Sequence, residues 1–305
     1  KTLFFNIVLI LFLIVLSFSF HQFFAYLILQ LSGFDISLNR DFDLSDTNTV
    51  FSLKLIQLFS SFGIFITPFI LFSYLTDFDF KLTEPVKRNL VLLTLVIMLL
   101  ITPFISFIYA WNQTLNLPNW MLDLESNSTE ITNAFLLMHD AGDLMFNLLL
   151  LAIVPAIGEE LCFRGYLQQK LTNCLNKTYM AIIVSAFVFS AIHLQFQGFI
   201  PRFILGMLLG CFFYWSKSLW LAIIAHFTNN AQAVIFSYPF FKENIYVKNS
   251  GYSIFSESQS IDLNLVLFSI FSVTLLLFMF YKISNISEEG ASSSKDNSKE
   301  LMKEE

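Results

Sequence analysis

Charge is what this chain has least of. Asp, Glu, Lys and Arg make up 13% of its 305 residues, against roughly 25% in an ordinary soluble domain. A water-soluble globule has no interior large enough for a chain that is 56% hydrophobic with 38 Phe. A basic face suited to nucleic acid is missing, so no nucleic-acid partner is expected. Cysteine is also scarce. Cys162, Cys174 and Cys211 are an odd number without metal-type spacing, which leaves neither a disulfide framework nor a cysteine-bound metal. All three read as packing residues. There is no internal repeat of the kind that marks inverted-repeat transporters.

What is abundant is unbroken apolar sequence, and a run of about 18 or more such residues reads as a bilayer-spanning helix. Eight spans are predicted, near 3–30, 51–75, 89–111, 143–157, 178–194, 197–215, 218–238 and 262–282. The polar connections fall near 32–50, 76–88, 112–142, 158–177 and 240–261. The fold class is therefore all-α, a polytopic transmembrane helical bundle, because only a helix satisfies its own backbone polar groups in lipid. The first run, Leu3–Phe20, exceeds the apolar core of a signal peptide, about 7–15 residues, and reads as an uncleaved span. With the N-terminus in the cytoplasm, twelve of the 17 Lys and Arg lie on the cytoplasmic side. By the positive-inside rule both termini are then cytoplasmic, and 112–142, which has no Lys or Arg, is external. The chain divides into N-terminal helices and loops (1–142), a core rich in buried polar residues (143–238), an external loop with the last span (239–283), and a Ser/Lys/Glu tail read as disordered (284–305). Sequons at Asn112 and Asn127 matter only in a glycosylating compartment.

Ionisable groups at membrane depth cost about 2.5–3.5 kcal/mol each even on the lenient insertion scale, so each needs a reason. Here they gather after residue 157. In Gly158-Glu159-Glu160-Leu161-Cys162-Phe163-Arg164-Gly165, Glu160 and Arg164 stand at i and i+4 and can pair. Glu159 is turned about 100° away and is left to face a cavity. Phe189 lies one turn before His193, where its ring can pack on the imidazole. His226 and Asn230 again stand at i and i+4 in the seventh span. A membrane-surface ion pair, an interfacial histidine and interhelical polar glue would each explain one cluster. Three clusters on three helices suggest one shared pocket. His21 and His139 lack polar neighbours in sequence and read as interfacial.

Glu159-Glu160-x-x-x-Arg164, Phe189-x-x-x-His193 and His226-x-x-x-Asn230 resemble the three motifs of the CAAX-protease and bacteriocin-processing (CPBP, ABI) family of intramembrane endopeptidases. The resemblance covers about residues 143–238. It implies a membrane-embedded protease in which Glu159 activates water, His193 positions it, and His226 with Asn230 stabilises the oxyanion. Glu160, Arg164 and Phe189 take supporting places. Eukaryotic members remove three residues from prenylated C-termini, and some bacterial members are linked to bacteriocin maturation or immunity. The implied partners are the lipid bilayer and a peptide or protein substrate, lipidated or not, and the implied location is a bacterial plasma membrane. For cofactor, metal-independent catalysis and a zinc held by Glu159, His193 and His226 both stand. A non-catalytic scaffold or immunity protein on the same fold, and a proton-coupled transporter, are the alternative functions. If the glutamates enter from the cytoplasmic end of the fourth span, substrate approaches from that side or laterally from that leaflet, and His193 at the far end of a fifth span fits least well.

Overall fold

The computed structural model describes residues 2–34, 43–241 and 262–301. Among these, all regular structure is helical. Residues 35–42 and 242–261, which hold most of two expected loops, lie outside the described residues, as do Lys1, Arg40, Lys242, Lys248 and Lys303 of the charge count.

The helices are α1 (Thr2–Leu31), α2 (Thr47–Thr76), α3 (Arg88–Leu100), α4 (Thr102–Gln113), α5 (Asn119–Phe135), α6 (Ala141–Leu175), α7 (Thr178–Ala191), α8 (Phe199–Ser216), α9 (Leu219–Ser237) and α10 (Leu263–Leu301). Six are long and apolar enough to cross a membrane, and a seventh crossing comes from the pair α3–α4 taken together. That pair, expected as one span over 89–111, bends by 41° at Ile101. The cause is Pro103 in the first turn of α4, which has no N–H for the ladder and whose ring clashes with the preceding turn. Proline also explains two widened, π-type stretches, Phe62–Ile66 just before Pro68 in α2 and Leu148–Ile153 just before Pro155 in α6.

Four expectations change. The segment 158–177 is not a polar connection: α6 runs unbroken through it as a 35-residue helix. Several of its polar side chains are held within the bundle by neighbouring helices, as where Gln168 Nε2 donates to Gly210 O at 3.1 Å and Arg164 Nη2 to Gly206 O at 2.9 Å. The loop 112–142 contains a further helix, α5, which is polar and begins right after Pro118. The fifth span, drawn over 178–194, is the 14-residue α7, about 21 Å long at 1.5 Å per residue and too short to cross unaided. α10 carries its apolar, membrane-length part over Leu263–Asn285 and continues helically to Leu301, through the segment expected as a tail.

α9 is the central post, packed on α3, α6 and α8, while α7 pairs with α8 and α10 covers α3 and α4. Close approach depends on small residues. A Cβ on Gly158 of α6 would stand 2.7 Å from Phe65 Cβ of α2, and one on Gly206 of α8 would meet Ala186 Cβ of α7 at 3.1 Å. In lipid, such contacts take the place of a hydrophobic driving force between helices. Outward faces are plainly apolar, as at Phe271 of α10, which is 70% exposed.

Candidate active site

Because α6 is one helix, Glu159 sits near its middle, about 24 Å from Leu175 by helix rise. α7 then runs back along α6: Ser185 Oγ donates to Phe163 O, and the Phe163 and Phe189 rings meet edge to face at 5.1 Å. Its length of about 21 Å returns His193 to the depth of Glu159. The misfit expected for His193 came from the misplaced boundary of α6.

α9 completes the cluster. His226 Nδ1 lies 2.8 Å from Glu160 Oε1, which also accepts from Arg164 Nη1 at 2.6 Å. Arg164 is fully buried; its Nη2 donates to Gly206 O at 2.9 Å, and its guanidinium lies over the Phe189 ring at 4.6 Å. Phe189 thus touches three site residues, since it also meets His193 at 5.1 Å and His226 at 5.8 Å, both edge to face. Asn230 reaches α6. Pro155 has no N–H for the carbonyl of Leu151 four residues before it, and Asn230 Nδ2 donates there at 3.2 Å. A second N–H of that amide remains for another acceptor.

Two backbone and side-chain acceptors fix the tautomers. His193 Nδ1 lies 2.7 Å from Phe189 O, and a carbonyl only accepts, so Nδ1 carries the proton. His226 Nδ1 likewise donates to the Arg164-paired carboxylate of Glu160. In the neutral rings both Nε2 atoms are then acceptors. They face the same oxygen: Glu159 Oε2 is 3.9 Å from His193 Nε2 and 3.8 Å from His226 Nε2. Exposure separates the two glutamates as their spacing predicts. The Glu159 side chain is 15% exposed and the Glu160 side chain is 0% exposed.

Glu159 and both imidazoles line a cavity of about 440 Å³. Its other walls come largely from the N-terminal half and from α8: Tyr109, Glu125, Thr129, Thr132, Gln195 and Arg202. It therefore lies on the side of α5, away from the 165–175 end of α6. Arg202, Glu125 and Tyr109 were not foreseen. Arg202 is the only charged residue in α8, and an ionisable group inside an apolar span is itself a signal of function. Glu125 gave no signal, since α5 has no membrane-helix pattern.

The residues proposed for zinc do not fit it as placed. Ligands about 2.0–2.1 Å from a tetrahedral zinc stand about 3.3–3.4 Å from one another, whereas Glu159 Oε2 is 3.8 and 3.9 Å from the two Nε2 atoms. Among the described residues no group of three or more His, Cys, Asp or Glu side chains is arranged to hold a metal ion.

No curated protein and no solved structure matches the chain. A family model does match: residues 141–232 fit the one described as type II CAAX prenyl endopeptidase Rce1-like. That segment holds Glu159, Glu160, Arg164, Phe189, His193, His226 and Asn230, so the match falls on the same core whose three motifs resemble the CAAX-protease family.

Proposed function

We propose that the protein is a CAAX-type intramembrane endopeptidase in which Glu159 activates water. The observation that carries this reading is that two imidazole Nε2 atoms approach one oxygen of Glu159, at 3.9 and 3.8 Å, in the wall of the cavity. Their separations exceed a direct hydrogen bond. A water between them can donate one hydrogen to Glu159 Oε2 and the other to an imidazole Nε2.

Glu159 takes a water proton as the oxygen attacks the scissile carbonyl, and later passes it to the leaving amine. His193 orients the water. The second N–H of Asn230 donates to the developing oxyanion. His226 borders the same space, with Nε2 3.8 Å from Glu159 Oε2. Glu160 stands behind His226 as a carboxylate stands behind the histidine of a Ser-His-Asp triad, holding its orientation and tautomer. Arg164 holds Glu160 in place. No step is routed through a metal, since the donor set is too open for one. The substrate is a peptide that enters from the α5 side of the bundle or from the surrounding lipid.

The test uses purified full-length protein in detergent and a quenched fluorogenic peptide ending in a farnesylated CAAX sequence. Glu159→Gln and His193→Ala are expected to lower kcat at least about 100-fold while keeping the wild-type unfolding temperature. Normal cleavage by either variant would overturn the reading.

A further inference from the structure

His193 is the only proposed catalytic group that does not sit on a helix. It follows the last turn of α7 and opens the segment Leu194–Gly198, which leads into α8. Leu194 has φ 53°, in the left-handed region that costs a branched side chain energy, so the chain turns sharply just after the histidine. A catalytic imidazole on such a segment needs an outside hold, because a misplacement of 1 Å costs about 100-fold in rate.

That hold comes from the N-terminal half, before residue 141 where the family match begins. Asn112, at the end of α4, is 1% exposed. Its Nδ2 donates to Phe196 O at 2.9 Å and to Gln197 O at 2.7 Å, and its Oδ1 accepts from Ile200 N at 3.3 Å. One amide side chain thus meets three backbone groups on both sides of Gly198. The Gln197 contact has a local cause: the first carbonyl in the α8 ladder is Gly198 O, which accepts from Arg202 N, so Gln197 O lies outside the helix and takes its donor from Asn112. From α5, Glu125 is 9% exposed and its Oε2 accepts from Gln197 N at 3.0 Å. Arg202 holds Gln195, two residues earlier, through its side-chain and main-chain oxygens.

We infer that Asn112 and Glu125 are positioning residues for His193: they clamp the 194–198 segment so that His193 Nε2 faces Glu159. The inference rests on the proposed protease reading for its kinetic consequence, though not for its structural one. The amide of Asn112 is buried and engaged, so its sequon has no side chain to offer a glycosyl donor. Glu125 acts here through a single acceptor oxygen, and its charge is not what the contact uses. Glutamine keeps that acceptor and alanine does not.

Two readouts on the full-length protein in detergent separate the outcomes. With the farnesylated CAAX peptide, Asn112→Ala and Glu125→Ala are expected to lower kcat about 100-fold with KM within about threefold. Glu125→Gln is expected to restore kcat to within about threefold of wild type. The second readout needs no substrate: histidine-selective ¹⁵N labelling, assignable by substitution because the chain has only four His. In wild type the His193 ring is expected as the Nδ1–H tautomer. Asn112→Ala and Glu125→Ala are expected to average or broaden that signature while leaving His226 unchanged. The inference is overturned if Glu125→Gln falls as far as Glu125→Ala, which would assign the role to charge. It is also overturned if Asn112→Ala leaves the His193 signature intact. Absence of any cleavage by wild type would sink the protease reading, and the ¹⁵N signature would still decide the clamp.

Discussion

One oxygen atom organises the buried half of the site. Glu160 Oε1 accepts from both Arg164 Nη1 and His226 Nδ1, and neither Glu160 nor Arg164 reaches solvent. Removing one partner leaves an uncompensated buried charge. Arg164→Ala is therefore expected to cost about 3–5 kcal/mol, read as a drop in unfolding temperature in a fixed detergent. Arg164→Lys is expected to recover little, because an ammonium cannot reach Glu160 and Gly206 O together while stacking on Phe189. Glu159 is expected to behave oppositely, since it contributes chemistry more than packing and Glu159→Gln keeps its shape. Cleavage is also expected to survive 1,10-phenanthroline, given the open spacing of Glu159, His193 and His226; a loss restored by added zinc would overturn the metal-free mechanism. The i, i+4 pairing of Glu160 with Arg164 was legible in sequence because helix geometry sets it; the packing of Phe189 on His193 was expected on the same ground and is present, although His193 lies just past the end of α7. The bond from His226 to Glu160 was not, since 66 residues separate the two.

At the scale of the helix, the close crossings matter most. A Cβ on Gly63 of α2 would lie 2.8 Å from Phe18 Cα of α1, a backbone atom that cannot swing aside. Gly63→Ala is expected to cost about 1–3 kcal/mol by overpacking, measured by thermal unfolding, with kcat unchanged because α1 lines no part of the cavity. Gly158→Ala pushes instead on Phe65, one residue from Glu159, and is expected to lower both stability and kcat. The course of α6 shows why helix boundaries were hard to read. Glu159, Glu160, Arg164 and Gln168 look like the start of a loop by composition, yet their partners on α8 and α9 make them interior residues of a continuous helix. α5 escaped for the converse reason. Its polar sequence carries no membrane pattern, and it belongs to the bundle through contacts such as Glu125 with Gln197.

Across the whole molecule, the family match covers 141–232, but the site does not stop there. Asn112 and Glu125 hold the segment after His193, Phe65 packs on Gly158, and Ser269 Oγ of α10 donates to Leu100 O at 2.6 Å beside the α3–α4 bend. Expressed alone, 141–238 is expected to give no cleavage and no cooperative unfolding. Co-expression of 1–140 with 141–305 is expected to restore part of both, measured on the co-purified pair. The sequence by itself determined that this is a helical membrane protein, that its ionisable residues cluster after residue 157, and which three motifs they form. Those conclusions follow from local quantities: apolar run length, helix periodicity and the cost of charge in lipid. Only the tertiary structure decided that His193 returns to the depth of Glu159, that both imidazoles turn Nε2 toward it, and that the cavity lies under α5. Each of these depends on where separate helices end and cross, which is set by packing between residues far apart in the chain.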